Sequence, residues 1–190
     1  MKITYNSPVI LTFALVSSLI LLLNGLLGGQ LMNYFAVGPS LQSTPAGPLG
    51  LISHVMGHGS VEHLLGNMTF ILLIGPIIEE KYGSIKTLLM IVFTALITGL
   101  INIAFFSNGL LGASGIVFML ILLVSFTNVR QGSIPLTFIL VAILFIGKEV
   151  IQSLQADHVS QAAHIIGGVC GSIFGFILGS PKVSTNSFSS

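Results

Sequence analysis

Long apolar runs, broken by short Gly-, Pro- and polar-rich segments, organise this chain. Reading the breaks as turns and asking for roughly 20 mostly apolar residues per membrane crossing predicts six spans. They cover about 8–27, 60–79, 85–104, 113–128, 134–154 and 160–180. The first run is long for a signal-peptide core and no A-x-A-like cleavage site follows it, so it is expected to be a retained anchor. The fourth span is short and starts at a Gly-rich turn; the fifth carries Lys148 and Glu149 near its end. The expectation is an all-α polytopic membrane protein, a six-helix bundle forming one domain over 1–180, with a disordered Ser-rich tail at 181–190.

Composition agrees with lipid as the solvent. Of 190 residues, 53% are hydrophobic and only 6% charged, against about 25% charged in soluble domains. The net charge of +1 gives no reason to expect nucleic acid, and the single cysteine, Cys170, excludes an intramolecular disulfide. With no Trp, the interfacial aromatics are Tyr5, Tyr34 and Tyr82. Placing the N-terminus inside puts Lys2, Lys81, Lys86, Arg130 and Lys182 on cytoplasmic segments and only Lys148 outside. The positive-inside rule therefore predicts that both termini are cytoplasmic. Segments 28–59, 105–112 and 155–159 are then external, in a cell (plasma or inner) membrane.

Polar residues within spans are costly and mark candidate functional sites. Here they gather at one depth. The second span opens with His58, Glu62, His63 and Asn67; the fourth with Gly112-Ala113-Ser114-Gly115; the sixth carries His164. All three N-terminal ends face outside, so at about 1.5 Å per residue His63, Asn67, Ser114 and His164 lie within roughly 10 Å of the outer helix ends. Each suits acyl transfer. A serine becomes a nucleophile beside a base, and His164 is such a base. Ser114 stands at a helix N-terminus, which favours developing negative charge. His63 and Asn67, four residues apart, share a face and can donate to an oxyanion. With no acidic residue on its own span, His164 implies a Ser–His dyad. Phe118, one turn below Ser114, points toward the imidazole.

The sixth span repeats glycine at 167, 171, 175 and 179, with Gly168 beside them. Gly168, Gly171 and Gly175 fall within about 40° of His164 around the helix. Such a small-residue stripe admits a close helix in lipid, and the fourth span is the expected partner. A homodimer face is the alternative for the stripe, though nothing else indicates a homo-oligomer. Cys170 points off this face and is expected to pack. The spacing His58-x3-Glu62-His63, even with His54 nearby, fits no zinc-protease motif, so neither metal nor cofactor is expected. Glu79, Glu80 and Lys81 are expected to cap the inner end of the second span.

His58-x4-His63-x3-Asn67, Gly112-Ala113-Ser114-Gly115 and Ala163-His164-x2-Gly167-Gly168, in that order, resemble the signatures of rhomboid proteases; Gly75 through Ser84, with Glu79 and Gly83, resembles the family's junction between the second and third spans. The resemblance covers about 50–180. It implies the six-helix core, hydrolysis of transmembrane protein substrates within the bilayer, and no cofactor. It makes Ser114 nucleophile and His164 base, with the Ser114 amide joining His63 and Asn67 as oxyanion donors; Gly112 and Gly115 shape the turn and His58 is structural or water-binding. Leu49-Gly50 stands where many bacterial members carry Trp-Arg, and Phe118 where Tyr is common. Two other readings compete: a catalytically silent relative that only binds transmembrane segments, and a small channel. A channel expects polar groups through the full depth, whereas these cluster in the outer half.

Overall fold

The computed structural model describes residues 4–125, 136–137, 139–141, 143–144 and 158–178, and all the regular structure among them is helical. The long helices are α1 (Pro8–Leu26), α3 (Val61–Tyr82) and α4 (Ser84–Phe105). A one-turn helix α2 (Gly50–Ser53) lies between α1 and α3, flanked by 3-10 turns at Gln30–Phe35, Gly47–Leu49 and His54–Met56. A shorter helix α5 (Ser114–Ser125) and a helix α6 (His158–Leu178) carry the later part of the chain, and the described residues between 136 and 144 are also helical. Among the described residues four helices are long and apolar enough to cross a membrane: α1, α3, α4 and the Gln161–Leu178 part of α6; α5 is a shorter apolar helix. The fifth expected span, 134–154, lies largely outside the described residues, as do Lys148, Glu149 and the tail.

The inner faces of α1, α3, α4 and α5 meet in a core that includes Ile10, Phe13, Ile71, Ile78, Met90, Met119 and Leu120. Large apolar side chains also point outward all round the bundle, among them Leu15, Leu22, Leu73, Leu89, Leu100, Ile165 and Phe176. Water penalises such a surface and hydrocarbon does not. The fold therefore defines a polytopic helical membrane protein.

At the end of the bundle away from Ser114, Glu79 ties three helices together. Its two carboxylate oxygens accept from the Val9 and Ile10 amides, each at 3.0 Å, and Oε1 also accepts from Ser84 Oγ at 2.7 Å. The first-turn N–H groups of α1 have no intrahelical acceptors, and this buried carboxylate supplies them. Glu79 thus caps the start of α1 as well as standing at the end of its own helix, a long-range pairing that local sequence does not reveal. One turn earlier Gly75 lets α1 close in, since a Cβ there would lie 2.6 Å from Ile10 Cδ1.

At the opposite end the 28–59 loop folds back onto α4. Gly99 leaves room for Leu51, whose backbone would sit 3.2 Å from a Cβ there. Gly50 itself lies against the Ala36 carbonyl, where a Cβ would approach to 2.8 Å, while Leu49 is 74% exposed. The Leu49-Gly50 pair therefore places an apolar side chain outward and a glycine where only glycine fits.

Candidate active site

Ser114 owes its position to a pinned loop. Val37 and Leu110 exchange two backbone hydrogen bonds, and the Gly112 amide donates to the His54 carbonyl at 2.9 Å. Gly112 then turns with φ 121°, a value few side-chain-bearing residues adopt, and α5 begins. The Val117 amide donates to the Ala113 carbonyl, so the amides of the first turn, including that of Ser114, fall where α-helices lack internal acceptors. Gly115 faces Thr98, seven residues before the end of α4. Ser114 therefore lies roughly 10 Å below that end, sunk within the bundle.

The α5–α6 contact is made backbone to backbone. A Cβ on Gly167 would come within 2.9 Å of Gly115 Cα and nearer still to its carbonyl; one on Gly171 would do the same to Met119. Gly115 in turn faces the Ala163 carbonyl, which a Cβ would meet at 3.2 Å. Gly168 and Gly175 are buried on the same helix. His164 follows Ala163 directly, and its ring rests on Phe118 with centroids 4.5 Å apart and a 40° tilt. Cys170 points elsewhere and is buried in the core cluster.

Ser114 and His164 line a single cavity of about 440 Å³, with Glu62, His63, Gly66, Asn67, Phe70 and Phe118 also in its wall. The structure thus gathers Ser114, His164, His63, Asn67 and Phe118. Gly112 is fitted to His63: a Cβ there would strike the imidazole, 2.6 Å from Cε1 and 2.8 Å from Nε2. Behind the wall, His58 is fully buried and organises Asn67. Its Nδ1 lies 3.2 Å from the Met56 carbonyl and must donate there, which leaves Nε2 to accept from Asn67 Nδ2 at 3.1 Å. One Asn67 N–H is thereby held and the other remains for the cavity.

His54 plays the corresponding part for the loop. It is buried, with Nδ1 3.0 Å from the Gly50 carbonyl and Nε2 3.3 Å from Thr98 Oγ1. Sequence spacing raised His54 only as a metal ligand; its bonds are instead to the loop and to α4. Among the described residues no three His, Cys, Asp or Glu side chains converge on a metal position. Glu62 and Gly66 join the cavity wall through the i, i+4 spacing, a signal present in the sequence beside His63 and Asn67.

Burial lowers the pKa of both loop histidines from 6.5 to about 4. For His58 the neighbouring His63 adds to the same effect. The folded protein holds them neutral where the unfolded chain protonates them. Stability is therefore full above pH 6.5 and falls as pH drops toward 4, by up to about 1.4 kcal/mol per pH unit for each group. The melting temperature in detergent should decline over that window, and His54→Gln should flatten the decline. A flat wild-type profile from pH 7 to 4 would contradict the neutral assignment.

Residues 46–181 match the Rhomboid domain family. The chain is also 31% identical over 129 residues to Rhomboid protease GlpG of Haemophilus influenzae (strain ATCC 51907 / DSM 11121 / KW20 / Rd), an alignment spanning 66% of this chain and 67% of that protein. The chain belongs to the rhomboid family.

Proposed function

We propose that this protein is an intramembrane serine endopeptidase that cuts transmembrane segments of other membrane proteins with a Ser114–His164 dyad. The observation that carries the reading is the shared cavity, which brings a helix-N-terminal serine on α5 and a histidine on α6 together within the helix bundle. Family membership and the likeness to a rhomboid protease support it.

In this mechanism a substrate helix enters the cavity from the bilayer and unwinds locally, because a helical backbone shields its own carbonyls. Ser114 Oγ attacks the scissile carbonyl as His164 takes its proton. The oxyanion that forms is held by the Ser114 amide, Asn67 and His63. His164 returns the proton to the leaving amine, and water entering from outside hydrolyses the acyl-enzyme. No cofactor is needed. His58 positions Asn67, so His58→Ala should lower kcat about tenfold through misplacement of the amide, with KM little changed. An unaltered kcat would remove His58 from this role.

The test of the function is to incubate the purified protein in liposomes with a model transmembrane substrate and to map the cut by mass spectrometry. A fluorophosphonate probe separates an active enzyme, which is labelled at Ser114, from a silent relative, which is not.

The six-span arrangement with both termini cytoplasmic is part of the same proposal. Gly115 meets Gly167 and Met119 meets Gly171, so α5 and α6 run parallel, which supports the six-span reading. The Lys and Arg distribution favours Ser114 facing the external half. Single cysteines in a Cys170→Ala background test the orientation. A thiol at Ser107, exposed beyond α4, should react with an impermeant reagent outside intact cells, and one at Glu80 should not; the reverse pattern inverts the topology.

A further inference from the structure

The cavity has a feature that acyl transfer does not use. Glu62, Gly66 and Phe70 are four residues apart on α3, so they form one stripe of the helix, and all three line the cavity. Gly66 leaves a notch in that stripe: a Cβ there would have nothing within 4 Å. Glu62, in the first turn, lies about 6 Å along the helix on the outer side of the notch, and Phe70 about 6 Å on the inner side. Among the described residues Glu62 is the only carboxylate in the cavity wall, and it is exposed. Below it the wall becomes apolar, with Phe70, Val117, Phe118 and Ile121.

A negative rim above an apolar slot matches one kind of side chain. Lys and Arg carry long aliphatic stems that accept apolar surroundings while the charged head reaches a polar edge. A substrate Asp or Glu would instead meet like charge, and a Leu would gain nothing from the carboxylate, which Ser60 and solvent already satisfy.

We propose that the Gly66 notch is a substrate subsite that selects Lys or Arg within two residues of the scissile bond, with Glu62 as its specificity-determining residue. The inference rests on the protease reading above. It adds that substrates of this enzyme carry a basic residue beside the cleavage point, near the outer end of the transmembrane segment.

The experiment uses the full chain in liposomes with a set of transmembrane peptides that differ at each position flanking the cut, carrying Arg, Leu or Asp. Wild type should favour Arg over Leu at one of these positions by about fivefold in kcat/KM, the upper range for an exposed ion pair. In Glu62→Gln the Arg-to-Leu ratio should fall to about one, and in Glu62→Lys Asp should overtake Arg. Gly66→Val fills the notch and should remove the same preference; the open space there allows the added side chain, so it is a second variant independent of charge. A merely structural Glu62 would change all peptides equally and leave the ratio untouched. An Arg-to-Leu ratio near one in wild type, or one unmoved in both Glu62→Gln and Gly66→Val, overturns the subsite while Ser114 phosphonylation leaves the protease reading standing. Failure to cut any peptide together with no phosphonylation overturns the protease reading, and the subsite with it.

Discussion

Ser114→Ala and His164→Ala should each reduce cleavage of a transmembrane substrate by at least about 10⁴-fold, and the double variant should be scarcely worse than either. Without Oγ there is no atom to acylate; without the imidazole the hydroxyl keeps its proton. The two groups act in one step, so removing the second removes little more. Neither substitution should unfold the protein. Both residues are only partly buried at the cavity wall, and α5 and α6 are joined by the Gly115–Gly167 and Met119–Gly171 approaches, which neither side chain supplies. The measurement is kcat/KM for the three variants beside their melting temperatures in detergent. Near-wild-type turnover in either single variant would rule out the dyad, and losses that multiply in the double would show that the residues act separately.

Gly171→Leu should reduce turnover by more than about 10²-fold without altering any group that touches substrate. A Cβ at this position would lie 2.9 Å from Met119 Cα, so α5 and α6 must separate before a leucine fits. Overpacking of this kind costs about 1–3 kcal/mol, which a bundle of this size can absorb. The chemistry is less tolerant, because a displacement of about 1 Å can cost roughly 10²-fold in rate, and Ser114 and His164 ride on the two helices being forced apart. Val169→Leu is the fitting control, since Val169 faces outward at 52% exposure. Cys170, although it points away from the dyad, is buried in the core, and enlarging it would disturb packing in its own right. The variant should insert, melt near the wild-type temperature and react slowly with a fluorophosphonate. Wild-type turnover in Gly171→Leu, or an equal loss in Val169→Leu, would show that the close approach does not position the dyad.

Sequence by itself determined that the chain belongs in lipid and where most of its helices run, because the apolar runs are long and the breaks between them carry Gly, Pro and polar residues. It also brought Ser114, His164, His63 and Asn67 to a common depth, since depth along a helix follows from residue count alone. The stripe of glycines on the last helix was legible for the same reason: helical periodicity is local.

Only the tertiary structure decided which faces meet. Glu79 reaches across to the start of α1, a pairing separated by about seventy residues that no local pattern encodes. His54 and His58, which spacing grouped with His63, turn their nitrogens to the loop, to Thr98 and to Asn67, because a buried imidazole must satisfy both nitrogens wherever the fold puts partners. Gly66 reads as an ordinary small residue until α3 is set beside α5 and α6; then it becomes a notch under Glu62. Helix periodicity is a property of neighbouring residues, whereas a cavity, a buried hydrogen bond and a long-range cap exist only once distant segments have docked.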